Sequence, residues 1–153
     1  MLKYTNYQLT FSEIPEEVTL CINLSNCPIH CKDCHSKFLW GDNGTELTED
    51  MIDLMLESKN ADLCTCVCFM GGDNDHEALF KIAKYVKERK PEMKTGWYSG
   101  LEEADKRALE FFDYIKTGGY DAEKGSLKFE TTNQRLYKIV DKEMIDITNK
   151  FWL

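Results

Sequence analysis

Apolar positions change their spacing along the chain, and each change marks an element. Val18–Leu24 (VTLCINL) is a short run rich in β-formers that closes on Ser25-Asn26. It predicts a core strand delivering the chain into a loop. Beyond that loop, Thr48 stands at a capping position, with Ile52, Met55 and Leu56 at helical spacing. Leu63–Met70 (LCTCVCFM) is continuously apolar and predicts a buried strand, ended by Gly71-Gly72-Asp73. His76–Lys90 carries Leu79, Ile82, Ala83 and Val86 on one helical face and stops at Pro91. Thr95–Ser99 reads as a short aromatic strand, Leu101–Phe112 as a helix rich in Ala, Leu and Glu, and Tyr114–Thr117 as a last strand before Gly118-Gly119. The tail suggests a hairpin-like segment through Leu127–Phe129 and Leu136–Val140, then a short end with Phe151 and Trp152.

The order β, loop, α, β, α, β, α, β predicts an α/β fold. Its sheet would be parallel with right-handed crossovers, and ligands would sit beyond the carboxyl ends of the strands. The steps fill about 120 residues, whereas a closed eight-stranded barrel needs about 250. The expected architecture is therefore an open partial (β/α) barrel. No repeat or Pro/Gly/Ser linker interrupts the chain, so residues 1–153 read as one domain.

Composition narrows the partners. The chain has 153 residues, 42% of them hydrophobic and 30% charged, enough for a core without a disordered or fibrous character. Lys+Arg total 19 against Asp+Glu 27, a net charge of −8 that opposes a sequence-independent grip on nucleic acid or an anionic membrane. No stretch approaches the roughly 20 consecutive apolar residues of a membrane span, and Met1–Thr10 lacks the build of a signal peptide. A cytoplasmic protein is expected. In a reducing cytosol, seven cysteines point to metal ligands, catalytic thiols or buried small residues rather than to disulfides.

Cys27, Cys31 and Cys34 stand at C-x3-C-x2-C directly after the first predicted strand. Three thiolates from one eight-residue loop can wrap one face of a cubane cluster and hold three irons. The fourth iron then stays open to a small chelating molecule. The competing reading is a tetrahedral zinc site completed by Cys21, His30 or His35. A second Cys-x2-Cys knuckle, usual in zinc ribbons, is missing from the sequence.

These residues resemble a known family. The cysteine triplet, followed after the next strand by Gly71-Gly72-Asp73, is similar to the radical S-adenosylmethionine enzymes. Cys34-His35-Ser36-Lys37-Phe38-Leu39-Trp40 and Phe69-Met70-Gly71-Gly72-Asp73 resemble the activating proteins of anaerobic ribonucleoside-triphosphate reductase. So do Asp113-Tyr114-Ile115-Lys116 and Thr131-Thr132-Asn133-Gln134-Arg135-Leu136-Tyr137.

The resemblance implies a barrel of the radical S-adenosylmethionine type and a [4Fe–4S] cluster on Cys27, Cys31 and Cys34. It implies S-adenosylmethionine on the free iron, with Asp33, Cys34, His35, Gly71, Gly72 and Asp73 as cofactor contacts. Reductive cleavage would give methionine and a 5′-deoxyadenosyl radical that takes a hydrogen atom from a glycine of the reductase's glycyl-radical subunit. An electron donor such as flavodoxin or ferredoxin would supply the reductant. Another radical S-adenosylmethionine enzyme, or a zinc-binding interaction module, are the alternatives. Where the family commonly has Glu-Pro after the glycines, this chain has Asp73-Asn74.

Other residues divide between chemistry and packing. Cys64, Cys66 and Cys68 alternate, so a strand would put all three on one face, as small fillers or as a second metal site. Trp97, Tyr98 and Ser99 could line an adenosine pocket but suit core or rim equally. Asn133-Gln134-Arg135 could touch the partner or satisfy a turn.

Overall fold

In the computed structural model, residues 1–28, 41 and 43–152 are described. Among the described residues, eight strands form one sheet: β1 (Lys3–Thr10), β2 (Thr19–Leu24), β3 (Thr45–Glu46), β4 (Cys66–Met70), β5 (Lys94–Tyr98), β6 (Tyr114–Thr117), β7 (Arg135–Val140) and β8 (Glu143–Asp146). Their order across the sheet is β3-β1-β2-β4-β5-β6-β7-β8. The four central strands β2, β4, β5 and β6 are parallel, and the pairs outside them are antiparallel.

Two α-helices, α1 (Glu49–Glu57) and α2 (His76–Arg89), are present among the described residues. Thr48 caps α1 by accepting from the Met51 amide, and Asp75 caps α2 by accepting from Ala78.

This mixed sheet corrects the expected open partial (β/α) barrel of the radical S-adenosylmethionine type. The predicted helix over Leu101–Phe112 does not form, and only a five-residue 3₁₀ turn, Lys106–Glu110, stands there. The carbonyl that would hold the first helical turn is committed elsewhere: Leu101 O accepts from Gly118 N–H (2.7 Å). Gly100 N–H donates to Asp73 Oδ2 (2.9 Å) and Leu101 N–H to Ser99 Oγ (3.1 Å). The helical turn is then started late by Asp105, which accepts from Arg107 N–H (3.0 Å).

At both flanks, antiparallel strands extend the sheet where a barrel would add further β/α units. β1 escapes the apolar pattern because no residue of the strand is fully buried. β7 pairs with β8, not with Leu127–Phe129, through a turn in which Asp141 (φ 51°) and Lys142 (φ 63°) are both left-handed.

Strand alternation sorts the core into two layers. Val67 and Phe69 of β4 face α1 and α2 and pack with Ile22, Leu24, Ile52, Met55, Leu79, Phe80, Val86, Trp97 and Phe112. Cys66 and Cys68 face the other way, into a smaller core with Ile14, Cys21, Tyr114, Leu127, Leu136 and Ile147. Each large side chain so buried contributes about 1.5–3 kcal/mol. Cys64 precedes β4 and packs against the helical side, so the three alternating cysteines do not share a face. Among the described residues, no group of three or more His, Cys, Asp or Glu is arranged to hold a metal.

Candidate functional site

Two neighbouring parallel strands carry the candidate chemistry to one end of the sheet. β2 and β4 run in register, with Asn23 beside Met70, so the loop after β2 and the turn after β4 emerge side by side. Asn26 adopts a left-handed conformation (φ 59°), and its N–H donates to Gly41 O (2.8 Å). That bond closes the base of the segment holding the cysteine triplet. Ser25 adds a hydroxyl bond to Asn43 O and an amide bond to Lys3 O (2.9 Å). Cys27 stands half-buried just inside this base. Cys31, Asp33, Cys34 and His35 lie outside the described residues.

The turn after β4 is held by two bonds to β5. Gly71 (φ 115°) and Gly72 (φ 93°) take backbone conformations that side-chain-bearing residues rarely adopt. Gly71 N–H donates to Tyr98 O (3.0 Å), and the Trp97 indole N–H donates to Gly71 O (2.8 Å).

Asp73 follows, its side chain only 3% exposed. Its carboxylate accepts from Ser99 Oγ (2.7 Å) and Gly100 N–H (2.9 Å) and lies 3.0 Å from His76 Nε2. The other ring nitrogen of His76 is 3.1 Å from Asp105 Oδ2, and the ring meets Trp97 edge-on at 5.0 Å. Asp105 is held well below the usual carboxylate range, chiefly by its hydrogen bonds from the Arg107 side chain.

Beside this well-satisfied network sits an exception. Asn74 Oδ1 is shielded from solvent and has no hydrogen-bond partner among the described residues. A buried acceptor without a donor is costly, by about 1–3 kcal/mol, and Thr19 Oγ1 and Asn133 Oδ1 are likewise without a partner among the described residues. Sequence reading passed over Asn74 as a departure from the family pattern. That departure was itself the available signal.

On the face away from the helices, a cavity of about 360 Å³ opens at the ends of β4, β5 and β6. Met70, Tyr98, Lys116, Gln134 and Phe151 line it. Lys116 is buried, its ammonium donating to Ser99 O (2.9 Å) and Gly118 O (3.0 Å) above the Tyr98 ring. Asn133 and Gln134 donate to Gly119 O (3.0 Å) and Gly118 O (3.3 Å), while Arg135 pairs with Asp146 (2.8 Å). These polar residues shape the turn after β6. Trp97 is core and Tyr98 is cavity wall.

A family model described as 4Fe-4S single cluster domain matches residues 16–140. No curated protein and no solved structure matches the chain. Among the described residues, no helix is long and apolar enough to cross a membrane.

Proposed function

The chain belongs to the 4Fe–4S single cluster domain family, and we propose that it is a radical S-adenosylmethionine activase. Its macromolecular substrate would be the glycyl-radical subunit of an anaerobic ribonucleoside-triphosphate reductase, with a flavodoxin- or ferredoxin-like electron donor. One observation carries this reading: a C-x3-C-x2-C segment and a Gly-Gly-Asp turn leave the same end of adjacent parallel strands. Cys27, Cys31 and Cys34 would hold the cluster, three thiolates leaving one iron without a protein ligand.

Bound there, the cluster would supply the one-electron reductive chemistry on S-adenosylmethionine by which a hydrogen atom would be taken from a glycine Cα of the partner. The chain's own residues bind, orient and exclude water. Asp33, Cys34 and His35 would border the nucleotide from the cysteine segment. Gly71, Gly72 and Asp73 would wall its methionyl end, where the bareness of the two glycines brings backbone close to a ligand. The cavity beside Met70 and Tyr98 would admit the partner's glycine segment.

The test is anaerobic. Reduced protein, S-adenosylmethionine and the reductase are mixed, and a doublet glycyl-radical signal is expected by electron paramagnetic resonance. A reconstituted protein that cleaves S-adenosylmethionine but leaves the reductase silent would reject the partner. One that never cleaves it would reject the reading as a whole.

A further inference from the structure

We propose that Cys21, Cys68 and Met70 form a three-sulfur site for a soft monovalent cation, Cu(I), on the face of the sheet away from the helices. The site is separate from the cysteine segment and does not depend on the function proposed above.

The register of the sheet brings the sulfurs together. Cys21 of β2 stands opposite Cys68 of β4, and Met70 lies two residues further along β4, so all three side chains belong to the same face. Cys68 Sγ lies 3.7 Å from Met70 Sδ, and the Cys21 and Cys68 thiols hydrogen-bond one another. The Thr10 hydroxyl meets Cys21 Sγ at 3.6 Å and steadies that end of the row. Buried cysteines commonly serve only as small fillers. Cys66 fits that description, since it shares the strand and the face but stands opposite Thr19. Cys21 and Cys68 differ from it in that each has a second sulfur as its neighbour.

The spacing suits a bound metal. Metal–sulfur bonds of about 2.3 Å in a trigonal plane put the sulfurs about 4 Å apart. Cys68 and Met70 already stand close to that separation, so a cation can sit between the sulfurs in place of the thiol protons without a cavity of its own. Those two protons leave to solvent as the metal–thiolate bonds form. The hydrogen bond from Cys68 holds the Cys21 thiol below its ordinary value, which eases the first loss. Two thiolates and one Cu(I) carry a single negative charge, on the side of the sheet where the Lys116 ammonium is buried above the Tyr98 ring.

The donor set selects the cation. Thiolates and a thioether are soft ligands that favour Cu(I), whereas structural zinc takes four ligands. Among the described residues, no group of three His, Cys, Asp or Glu offers zinc such a set. Met70 supplies the way in, because it borders the cavity of about 360 Å³ at the ends of β4, β5 and β6.

The test is an anaerobic Cu(I) titration of the full cluster-free chain, with bathocuproine disulfonate as the competing chelator. Cys27, Cys31 and Cys34 are changed to Ser so that they do not compete, and far-ultraviolet circular dichroism checks the fold of each protein. One Cu(I) per chain is expected, with X-ray absorption showing three sulfurs at about 2.3 Å. Relative to that chain, Cys21→Ala and Cys68→Ala should each weaken binding about a hundredfold or more. The volume-conserving Met70→Leu should weaken it about tenfold and remove one sulfur from the metal's shell. Cys66→Ala should leave the affinity unchanged.

Cu(I) that fails to bind, or binds Cys68→Ala as tightly as its parent, overturns the inference. So does a coordination shell that Met70→Leu leaves unaltered, or a loss in Cys66→Ala as large as in Cys68→Ala. Should the Ser background not fold, the native cluster-free chain decides by stoichiometry. It should hold one Cu(I) more than its Cys68→Ala variant, and equal stoichiometries overturn the site.

Discussion

The indole N–H of Trp97 donates to the carbonyl oxygen of Gly71 across 2.8 Å, pinning the turn after β4 to the strand beside it. Trp97 is fully buried, stacked on Phe112 at 5.6 Å and edge-on to Phe80 at 5.7 Å. Trp97→Phe keeps much of that packing but strands the Gly71 carbonyl and leaves space behind it. The expected loss is about 3 kcal/mol. Urea unfolding followed by far-ultraviolet circular dichroism measures it, and a loss below about 1 kcal/mol would show that water reaches that carbonyl.

Gly72→Ala should destabilise the chain by about 2 kcal/mol. A methyl group at φ 93° would stand 3.1 Å from Leu79 Cδ2 and 3.2 Å from Leu24 Cδ1. Both leucines are buried in the helical-side core, where their methyls would have to give by a few tenths of an ångström. The same urea titration decides. A neutral outcome would mean that the turn is free to relax.

Thiol accessibility should split the cysteines. Burial pushes the Cys66 and Cys68 thiols up, away from the reactive thiolate, and both are closed to solvent together with Cys21. Iodoacetamide on the reduced, cluster-free native protein should therefore label Cys27 and Cys64 and spare Cys21, Cys66 and Cys68 until denaturant is added. Mass spectrometry of the peptides reads the pattern, and early labelling of Cys68 would contradict the burial of that face.

Acid should unfold the protein partly through Asp105. Hydrogen bonds from the Arg107 side chain lower its folded pKa. As pH falls below about 4, the unfolded chain takes up a proton that the folded chain refuses. Stability from this group is thus complete above the unfolded value and lost as pH drops toward the folded one. Melting temperatures between about pH 5 and pH 2 should fall less steeply in Asp105→Asn than in the native chain. Parallel curves would assign the acid limb to other carboxylates.

Cys31→Ala should abolish the visible charge-transfer absorption of the reconstituted protein and its bound iron while leaving the far-ultraviolet spectrum intact. The ladder between β2 and β4 and the helices α1 and α2 are built from residues outside the cysteine segment. Retained iron at native stoichiometry would exclude Cys31 as a ligand.

The readable and unreadable parts of the fold differ for physical reasons. β2, β4, β5, α1 and α2 were legible because each buries an apolar run or stripe, and residues such as Ile22, Phe69, Leu79 and Val86 repeat at the right period. β1 and β8 were not, because Tyr7 and Ile145 lie exposed and leave no such trace. The lost third helix illustrates a different limit. Its Ala- and Leu-rich sequence favours a helix, but Gly118 N–H takes the Leu101 carbonyl of the would-be first turn, and a tertiary bond overrides propensity.

The site divides likewise. Spacing alone exposed the cysteine triplet and the Gly-Gly turn. Which acceptor near that turn is satisfied depends on partners from β5 and α2, distant along the chain, and no local pattern encodes them.

The pairing of Asn23 with Met70 has a consequence for how such a site can vary. Backbone hydrogen bonds hold adjacent strands about 4.8 Å apart whatever their side chains are. The sheet thus serves as a ruler between the sulfur-bearing segment and the glycine turn. Either one can be rewritten residue by residue, while the distance between their starting points stays fixed by the peptide backbone.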